Sequence, residues 1–244
     1  MLQGVYKKVN RSLGKAVHDY GMISPGDRIV VGVSGGMDSL TLLRMLVDLK
    51  KKAPLDFHLV PVYVDPGFEP SFAGDLKAYV EFHLGPLMVE RTDHGIVAHS
   101  DENQENPCFL CSRLRRKRLF EIARDQGCNT IALGHNKDDL IETLFINMFY
   151  SGAIGTMKPC QSFFDGTLEI IRPLAYVEKR RIVSLSESLG FPAFKNPCPS
   201  DGFTKRTAVR HMLEGLYAEN PHIKGNIFKA MGRVKMDYLL KQTL

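Results

Sequence analysis

The chain has no run of 18 or more apolar residues, so it offers no helix that spans a bilayer. Its opening residues, Met-Leu-Gln-Gly-Val-Tyr-Lys-Lys, lack the apolar stretch of a secretory signal, and a cytoplasmic location is expected. Cysteine is scarce and odd in number: five in 244 residues do not pair into a disulfide framework. They suit a reducing compartment, where clustered thiols serve metals or catalysis. No internal repeat or low-complexity tract is present. Two familiar phosphate loops are missing as well. A Walker A loop needs Gly, four residues, then Gly-Lys-Ser/Thr, and counting from Gly32 the second glycine position holds Met37. The pattern Gly-x-Gly-x-x-Gly fails at Gly32-Val33-Ser34.

What is present is Arg28-Ile-Val-Val-Gly-Val-Ser-Gly-Gly-Met-Asp-Ser-Leu40. Ile29 to Val33 is a β-branched run of the kind that makes a buried strand, and Leu42, Met45, Leu46 and Leu49 fall at helical spacings. Strand, glycine turn and helix aim backbone N–H groups and a helix N-terminus at an anion, most simply phosphate. Asp38 in that turn would repel phosphate unless a divalent cation lay between them, so Mg²⁺ is expected. The plainer alternative is a glycine turn capped by Ser34 or Ser39.

Further strands are expected at Phe57–Val64, Leu87–Arg91, Asn129–Leu133 and Leu168–Pro173. Helices are expected at Tyr6–Tyr20, Leu40–Leu49, Ser71–Leu84, Leu114–Gln126, Leu140–Tyr150 and Glu178–Leu189. Asp93–Pro107 reads as a surface loop, Ser151–Gly166 as a break, and the chain beyond Phe191 as a proline-bearing stretch followed by a basic helical tail. This alternation predicts an α/β fold, a Rossmann-like, doubly wound, mostly parallel sheet with right-handed crossovers. A helical extension is expected at 1–24, a nucleotide-binding domain at 25–190 and the helical tail at 191–244. An apolar share of 44% is ample for such a core, and 24% charged residues suit a soluble protein. Ser34, Asp65 and Gly134 each follow the C-terminal end of an expected strand, where ligands of such sheets bind.

Three other groups carry chemistry. Gly134-His-Asn-Lys-Asp-Asp-Leu-Ile-Glu-Thr143 opens a helix with carboxylates, as its dipole favours, and Asp138 and Glu142 share one face. Alone, this is an acidic helix start. Pro107-Cys-Phe-Leu-Cys111 and a lone Cys198 in Asn-Pro-Cys-Pro form the next group; Cys-x-x-Cys in the cytosol suggests a metal site or a redox pair. A zinc finger would need a second ligand pair nearby, and none is there. Three thiolates can hold a [4Fe–4S] cluster and leave one iron open to an exogenous sulfide, whereas two buried cysteines and an unrelated third are the plain alternative. Cys128 and Cys160 read as packing residues. The last group is basic: Arg113, Arg115, Arg116, Lys117 and Arg118, then Lys179, Arg180 and Arg181, then Lys205, Arg206 and Arg210. Each set alone is a solvated helix face. Tied in sequence to the phosphate loop, they argue for a nucleic-acid backbone as partner, although no recognised RNA-binding module is present.

Ser34-Gly-Gly-x-Asp-Ser39 resembles the PP-loop of the ATP pyrophosphatase superfamily, whose members bind ATP and release pyrophosphate while forming an adenylated intermediate. Gly-His-x-x-Asp-Asp-x-x-Glu-Thr resembles the second signature of the members that modify tRNA. Pro66-Gly-Phe68, Cys108-Phe-Leu-Cys-Ser-Arg-Leu-Arg-Arg116, Glu142-Thr-Leu-Phe-Ile-Asn-Met-Phe-Tyr150 and Ile171-Arg-Pro-Leu-Ala175 stand in order with them. From about Asp27 to about Met236 the chain is thereby similar to the tRNA 2-thiocytidine synthetase (TtcA-like) family. The resemblance implies an adenine nucleotide alpha hydrolase-like fold and a cytoplasmic, often homodimeric transferase. It further implies a [4Fe–4S] cluster on three cysteines, and use of ATP and Mg²⁺ to replace the C2 oxygen of cytidine 32 in tRNA by sulfur.

Carried over by position, Val33, Ser34, Gly35, Gly36, Asp38, Ser39, Asp65, Gly134, His135 and Asp139 would bind ATP, and Asp38 would hold Mg²⁺. Cys108, Cys111 and Cys198 would hold the cluster, with zinc as the alternative metal, and with Asp38 they form the expected catalytic set. Arg113, Arg115, Arg116 and Arg118 would hold the anticodon stem-loop. Two departures stand out. Met37 occupies a position where the family often has Lys, which removes one cation from the phosphate site. The third cysteine stands in Cys198-Pro-Ser-Asp-Gly202 where the family shows Cys-x-x-Cys-Gly-Ser. The expected activity is ATP-dependent tRNA thiolation, fed by a separate sulfur donor, with no membrane involved. The alternatives are another PP-loop tRNA-modifying or small-molecule adenylating enzyme, and a non-catalytic ATP-binding iron–sulfur or zinc protein.

Overall fold

The first strand, β1 (Arg28–Gly32), lies at the centre of a six-stranded sheet. It pairs in parallel with β2 (His58–Asp65) on one side and β4 (Thr130–Ala132) on the other. β3 (Met88–Arg91) adds beyond β2 and β6 (Leu168–Ile171) beyond β4, both parallel, and β5 (Cys160–Phe163) closes that edge antiparallel to β6. The order is β3-β2-β1-β4-β6-β5, so the winding reverses between β1 and β4. Doubly wound sheets bind ligands outside the strand ends at that point. This is a computed structural model, and it describes residues 2–200, 202 and 205–240. Asp201, quoted with the third cysteine, lies outside them.

The chain divides into two compact units, Met1–Lys137 with Lys158–Asp201, and Asp138–Met157 with Gly202–Leu244. In the first, the alternation of β1 supplies both cores. Ile29 and Val31 pack with Val9 and Leu13 of α1 (Leu2–Asp19) and with Leu42, Met45 and Leu46 of α2 (Met37–Lys52). Leu76 and Val80 of α3 (Ala73–His83) and Ile182 and Leu185 of α7 (Lys179–Leu189) complete that layer. Val30 faces the other way, onto Leu119, Ile122 and Ala123 of α5 (Pro107–Asp125). Leu40, Leu42, Leu43, Met45 and Leu46 of α2 are fully buried. At about 1.5–3 kcal/mol for each such side chain, α2 is anchored along its length, and so is the turn that feeds it.

The structure differs from the sequence reading in three places. Asp93–Pro107 is not all loop: α4 (His94–Ala98) forms within it, buries Gly95 and Ala98, and is tied by the Gly95 N–H to the Pro66 carbonyl at 2.8 Å. Five residues are too few to show a helical period. α5 begins seven residues earlier than Leu114, because Pro107 suits the first helical position and the Asn106 side chain accepts a hydrogen bond from the Phe109 N–H at 3.2 Å. The cysteine pair therefore lies inside a helix. The expected break at Ser151–Gly166 contains β5, whose polar sequence Cys-Gln-Ser-Phe takes its order from its neighbour β6. α1 is sealed into the core of the first unit at Val9, Leu13 and Ala16.

The second unit has its own small core. Ile141 of α6 (Lys137–Ser151) packs with Val209 and Leu213 of α8 (Lys205–Glu219), and Ile227 and Phe228 of α9 (Ile223–Ala230) lie against them. Among the described residues no helix is long and apolar enough to cross a membrane.

Candidate active site

The loop after β1 is held by its own serines. Ser39 is buried; its Oγ accepts the Ser34 N–H at 3.0 Å and donates to the Gly36 carbonyl at 2.9 Å, with the Ser34 hydroxyl at 3.2 Å. Neither serine caps α2. The N-cap is Gly36, with no side-chain cap, so the opening turn of α2 lacks the usual internal acceptor. That is the condition for an anion to take the place of the cap. Gly35 sits at φ +79°, and a Cβ there would come within 2.8 Å of the Phe72 ring. Gly134, at the end of β4, brings its backbone so close that a Cβ would lie 3.1 Å from both the Asp38 carbonyl carbon and the Ser39 nitrogen. Both glycines are demanded by crowding around the turn.

Asp38 is half-buried at the start of α2. Its Oδ1 accepts from the Asn136 amide at 3.0 Å and its Oδ2 from the Lys179 ammonium at 2.5 Å. Asn136 is itself buried. His135 Nδ1 accepts from the Arg172 guanidinium at 3.3 Å, and Arg172 also donates to the Lys158 carbonyl at 2.5 Å. Burial pushes the Arg172 pKa down to about 10, which still leaves a cation at neutral pH. Asp65 is buried and organises its own loop: its carboxylate accepts from the Gly67 N–H at 3.0 Å and the Ser71 hydroxyl at 2.7 Å. Its carbonyl accepts from the Thr92 hydroxyl at 2.6 Å.

The acidic signature divides between the units. His135 belongs to the first, whereas Asp138, Asp139 and Glu142 belong to the second. There Asp138 pairs with Lys224 at 2.5 Å, and Glu142, 4% exposed, pairs with Arg206 at 3.1 Å and Arg210 at 2.8 Å. Arg206 also lies 3.6 Å from the Asp139 carboxylate and donates to the Thr143 hydroxyl at 3.2 Å.

Cys108 and Cys111 occupy the first two turns of α5. Cys108 is exposed, and Cys111 and Cys198 are half-buried. Burial pushes the Cys111 thiol up, Arg115 pulls it down, and Cys198 and Cys108 push it up again, so the three sulfurs share one electrostatic neighbourhood. Cys198 Sγ stands 4.0 Å from His99 Nε2, which is bonded to the Ser200 hydroxyl at 2.8 Å. Among the described residues no three His, Cys, Asp or Glu side chains are arranged around one metal ion. The donor set, three cysteine sulfurs, suits the cluster.

Of the arginines singled out on α5, Arg113 pairs with Glu105 at 3.0 Å, and Arg118 pairs with Glu90 at 2.9 Å and Glu121 at 2.8 Å. Arg115 and Arg116 are exposed. In sequence, His99, Asn136 and Arg172 carry no mark of a site role, and Lys179 stands only among the basic groups. Lys179 alone left a further trace, a cation in the first turn of a helix.

The fold and the uncapped glycine turn at its switch point define the class, and the model of the PP-loop domain matches residues 5–215. This is a PP-loop protein. A tRNA-cytidine(32) 2-sulfurtransferase of Pelobacter propionicus is 39% identical over 244 residues, covering 98% of this chain and 90% of that one. Its counterpart in Geobacter sulfurreducens is 39% identical over 239 residues, covering 96% and 93%. The chain therefore belongs to the tRNA-cytidine(32) 2-sulfurtransferase family. Its fold is shared by the U34-tRNA thiolase NcsA from Methanococcus maripaludis, solved with its [4Fe–4S] cluster, at TM-score 0.80 and 22% identity over 98% of this chain and 81% of that one.

Proposed function

We propose that the protein is a cytoplasmic, ATP-dependent tRNA sulfurtransferase that converts cytidine 32 of the anticodon loop to 2-thiocytidine. The observation that carries this reading is the 39% identity, over at least 96% of this chain, to relatives that bear that activity, with Cys108, Cys111 and Cys198 in the same unit as the uncapped loop.

The loop N–H groups and the Ser34 hydroxyl would hold the phosphates, and Gly35 and Gly134 keep side chains out of their way. Asp38 fits Mg²⁺, which is commonly held by one or two carboxylates plus substrate phosphates. The cytidine C2 oxygen attacks the α-phosphorus and pyrophosphate leaves. Hydrosulfide then adds at C2, the C2–O bond breaks, AMP departs with that oxygen, and the sulfur loses its proton to give the thiocarbonyl. Cys108, Cys111 and Cys198 would hold the cluster, which supplies an iron without a protein ligand at which sulfide is kept. Arg115 and Arg116, exposed on the same helix as Cys108 and Cys111, would bind the tRNA backbone beside unstacked loop bases. Arg113 and Arg118 join them only by loosening their pairs with Glu105, Glu90 and Glu121. The reading includes a sulfur donor system and a homodimer; exposed Met148, Phe149 and Tyr150 at the end of α6 offer an apolar surface for a second copy.

The test is anaerobic incubation with unmodified tRNA, Mg²⁺, sulfide and ATP, followed by mass spectrometry of the digested nucleosides. 2-Thiocytidine is expected with ATP, and none without it or with Asp38→Ala. Thiolation of another nucleotide would reassign the substrate; no thiolation of any base would remove the transferase reading.

A further inference from the structure

We propose that Lys179 is the phosphate-binding cation of the nucleotide site, supplied from α7 to a loop that has none of its own. The inference rests on the PP-loop reading above. Between Ser34 and Ser39 the only charged side chain is Asp38, and it is negative. A triphosphate entering this turn meets backbone donors, hydroxyls and a carboxylate. Lys179 changes that balance. Its ammonium lies 2.5 Å from Asp38 Oδ2, although 141 positions separate the two residues.

A lysine at this position runs against the local helix electrostatics. Lys179, Arg180 and Arg181 open α7, and its first turn has no acid, whereas a helix N-terminus disfavours cations. Glu178, the N-cap residue, pairs with Arg180 at 2.6 Å and with Arg181 at 3.9 Å. Lys179 is directed to the loop instead. A residue set against a local rule marks a site constraint. The approach to α7 is rigid: Leu174, Ala175 and Val177 are fully buried, and the Val177 carbonyl accepts the Lys137 N–H at 3.0 Å. That bond ties the start of α7 to the strand-end segment carrying His135 and Asn136. The Lys179 side chain is nevertheless 38% exposed, so it remains within reach of an arriving ligand.

Lys179 thus has two states. Without nucleotide it neutralises Asp38. With the magnesium nucleotide bound, it exchanges the carboxylate for phosphate oxygens, and Asp38 is left to the metal. Met37, one residue from Asp38 and exposed, is the position from which a lysine could serve the same phosphates.

The test is calorimetric binding of magnesium pyrophosphate, without tRNA, to the full chain purified anaerobically. Lys179→Met should weaken binding about 10- to 100-fold, the range of one charge-assisted hydrogen bond. Lys179→Arg should retain most of the affinity, and Met37→Lys added to Lys179→Met should restore it. Unchanged affinity in Lys179→Met overturns the inference. So does weakened affinity that Met37→Lys does not restore, together with a lower melting temperature, since Lys179 would then only hold Asp38 in place. If the parent chain binds no pyrophosphate, the nucleotide reading itself falls, and this inference falls with it.

Discussion

Cys198 Sγ lies 4.0 Å from His99 Nε2, across 99 positions of sequence. The tautomer of this imidazole follows from its partners. Nδ1 is 2.8 Å from the Gly95 carbonyl, which can only accept, so Nδ1 carries the hydrogen. In the neutral ring Nε2 is then an acceptor, and the Ser200 hydroxyl donates to it at 2.8 Å. The Phe68 ring packs edge-on at 5.4 Å and fixes the orientation. His99 thus anchors the segment that carries the third cysteine. His99→Leu should lower the iron retained per chain after anaerobic purification while leaving pyrophosphate affinity at the parent value. Parent-level iron in this variant would show that the Cys198 segment needs no such anchor.

The three sulfurs themselves make a sharper prediction. About four irons and four sulfides per chain are expected in the parent. Cys108→Ala, Cys111→Ala and Cys198→Ala should each lose them, with thiolation lost in parallel. Cys128→Ala should keep its iron, because the Cys128 thiol is buried against the Gln126 carbonyl, away from the other three. Zinc in place of iron in the parent would overturn the cluster assignment.

Glu142 is the acid whose loss the second unit should feel most. It is buried and engages two arginines whose side chains remain 35% and 47% exposed. Glu142→Gln leaves both cations with a weaker acceptor but still in touch with water, so the cost should be about 1–3 kcal/mol. For a chain of this size each kcal/mol shifts the melting temperature by about 2–4 °C. Asp125→Asn, at an exposed pair with Arg124, should leave the melting temperature unchanged. Equal melting of the two variants would show that burial of Glu142 carries no stability.

Cys160 gives a pH dependence with a defined sign. Burial first, then the Glu169 carboxylate, pushes its thiol from the ordinary 9.0 up to about 11. The folded state therefore holds this proton more tightly than the unfolded state. The stabilisation is complete below about pH 9 and is lost as pH rises to about 11. Cys160→Ala should flatten this part of the stability profile, measured by urea unfolding at fixed pH steps. A steeper fall in the variant would contradict the assignment.

Much of this architecture was legible in the residues. Ile29 to Val33 is apolar on both faces because β1 is covered on both sides, which a continuous hydrophobic run records directly. The glycine turn was legible because only Gly tolerates the positive φ of Gly35. α4 and β5 were not. Five residues carry no helical period, and β5 is a polar edge strand whose pairing is set by β6.

The sequence by itself determined the elements that depend on neighbours a few positions away: the buried strand, the glycine turn after it, the basic helix from Leu114 onward, and the family to which they belong. Only the tertiary structure decided which distant groups meet. It set Lys179 and Asn136 on Asp38, His99 and Ser200 beside Cys198, and the arginines of α8 on Glu142. Periodicity and capping act over one or two turns of chain, whereas these contacts arise when a hydrophobic core fixes where separate elements end. The charges and thiols at those ends carry no hydrophobic period, so their partners become visible only once the core has closed.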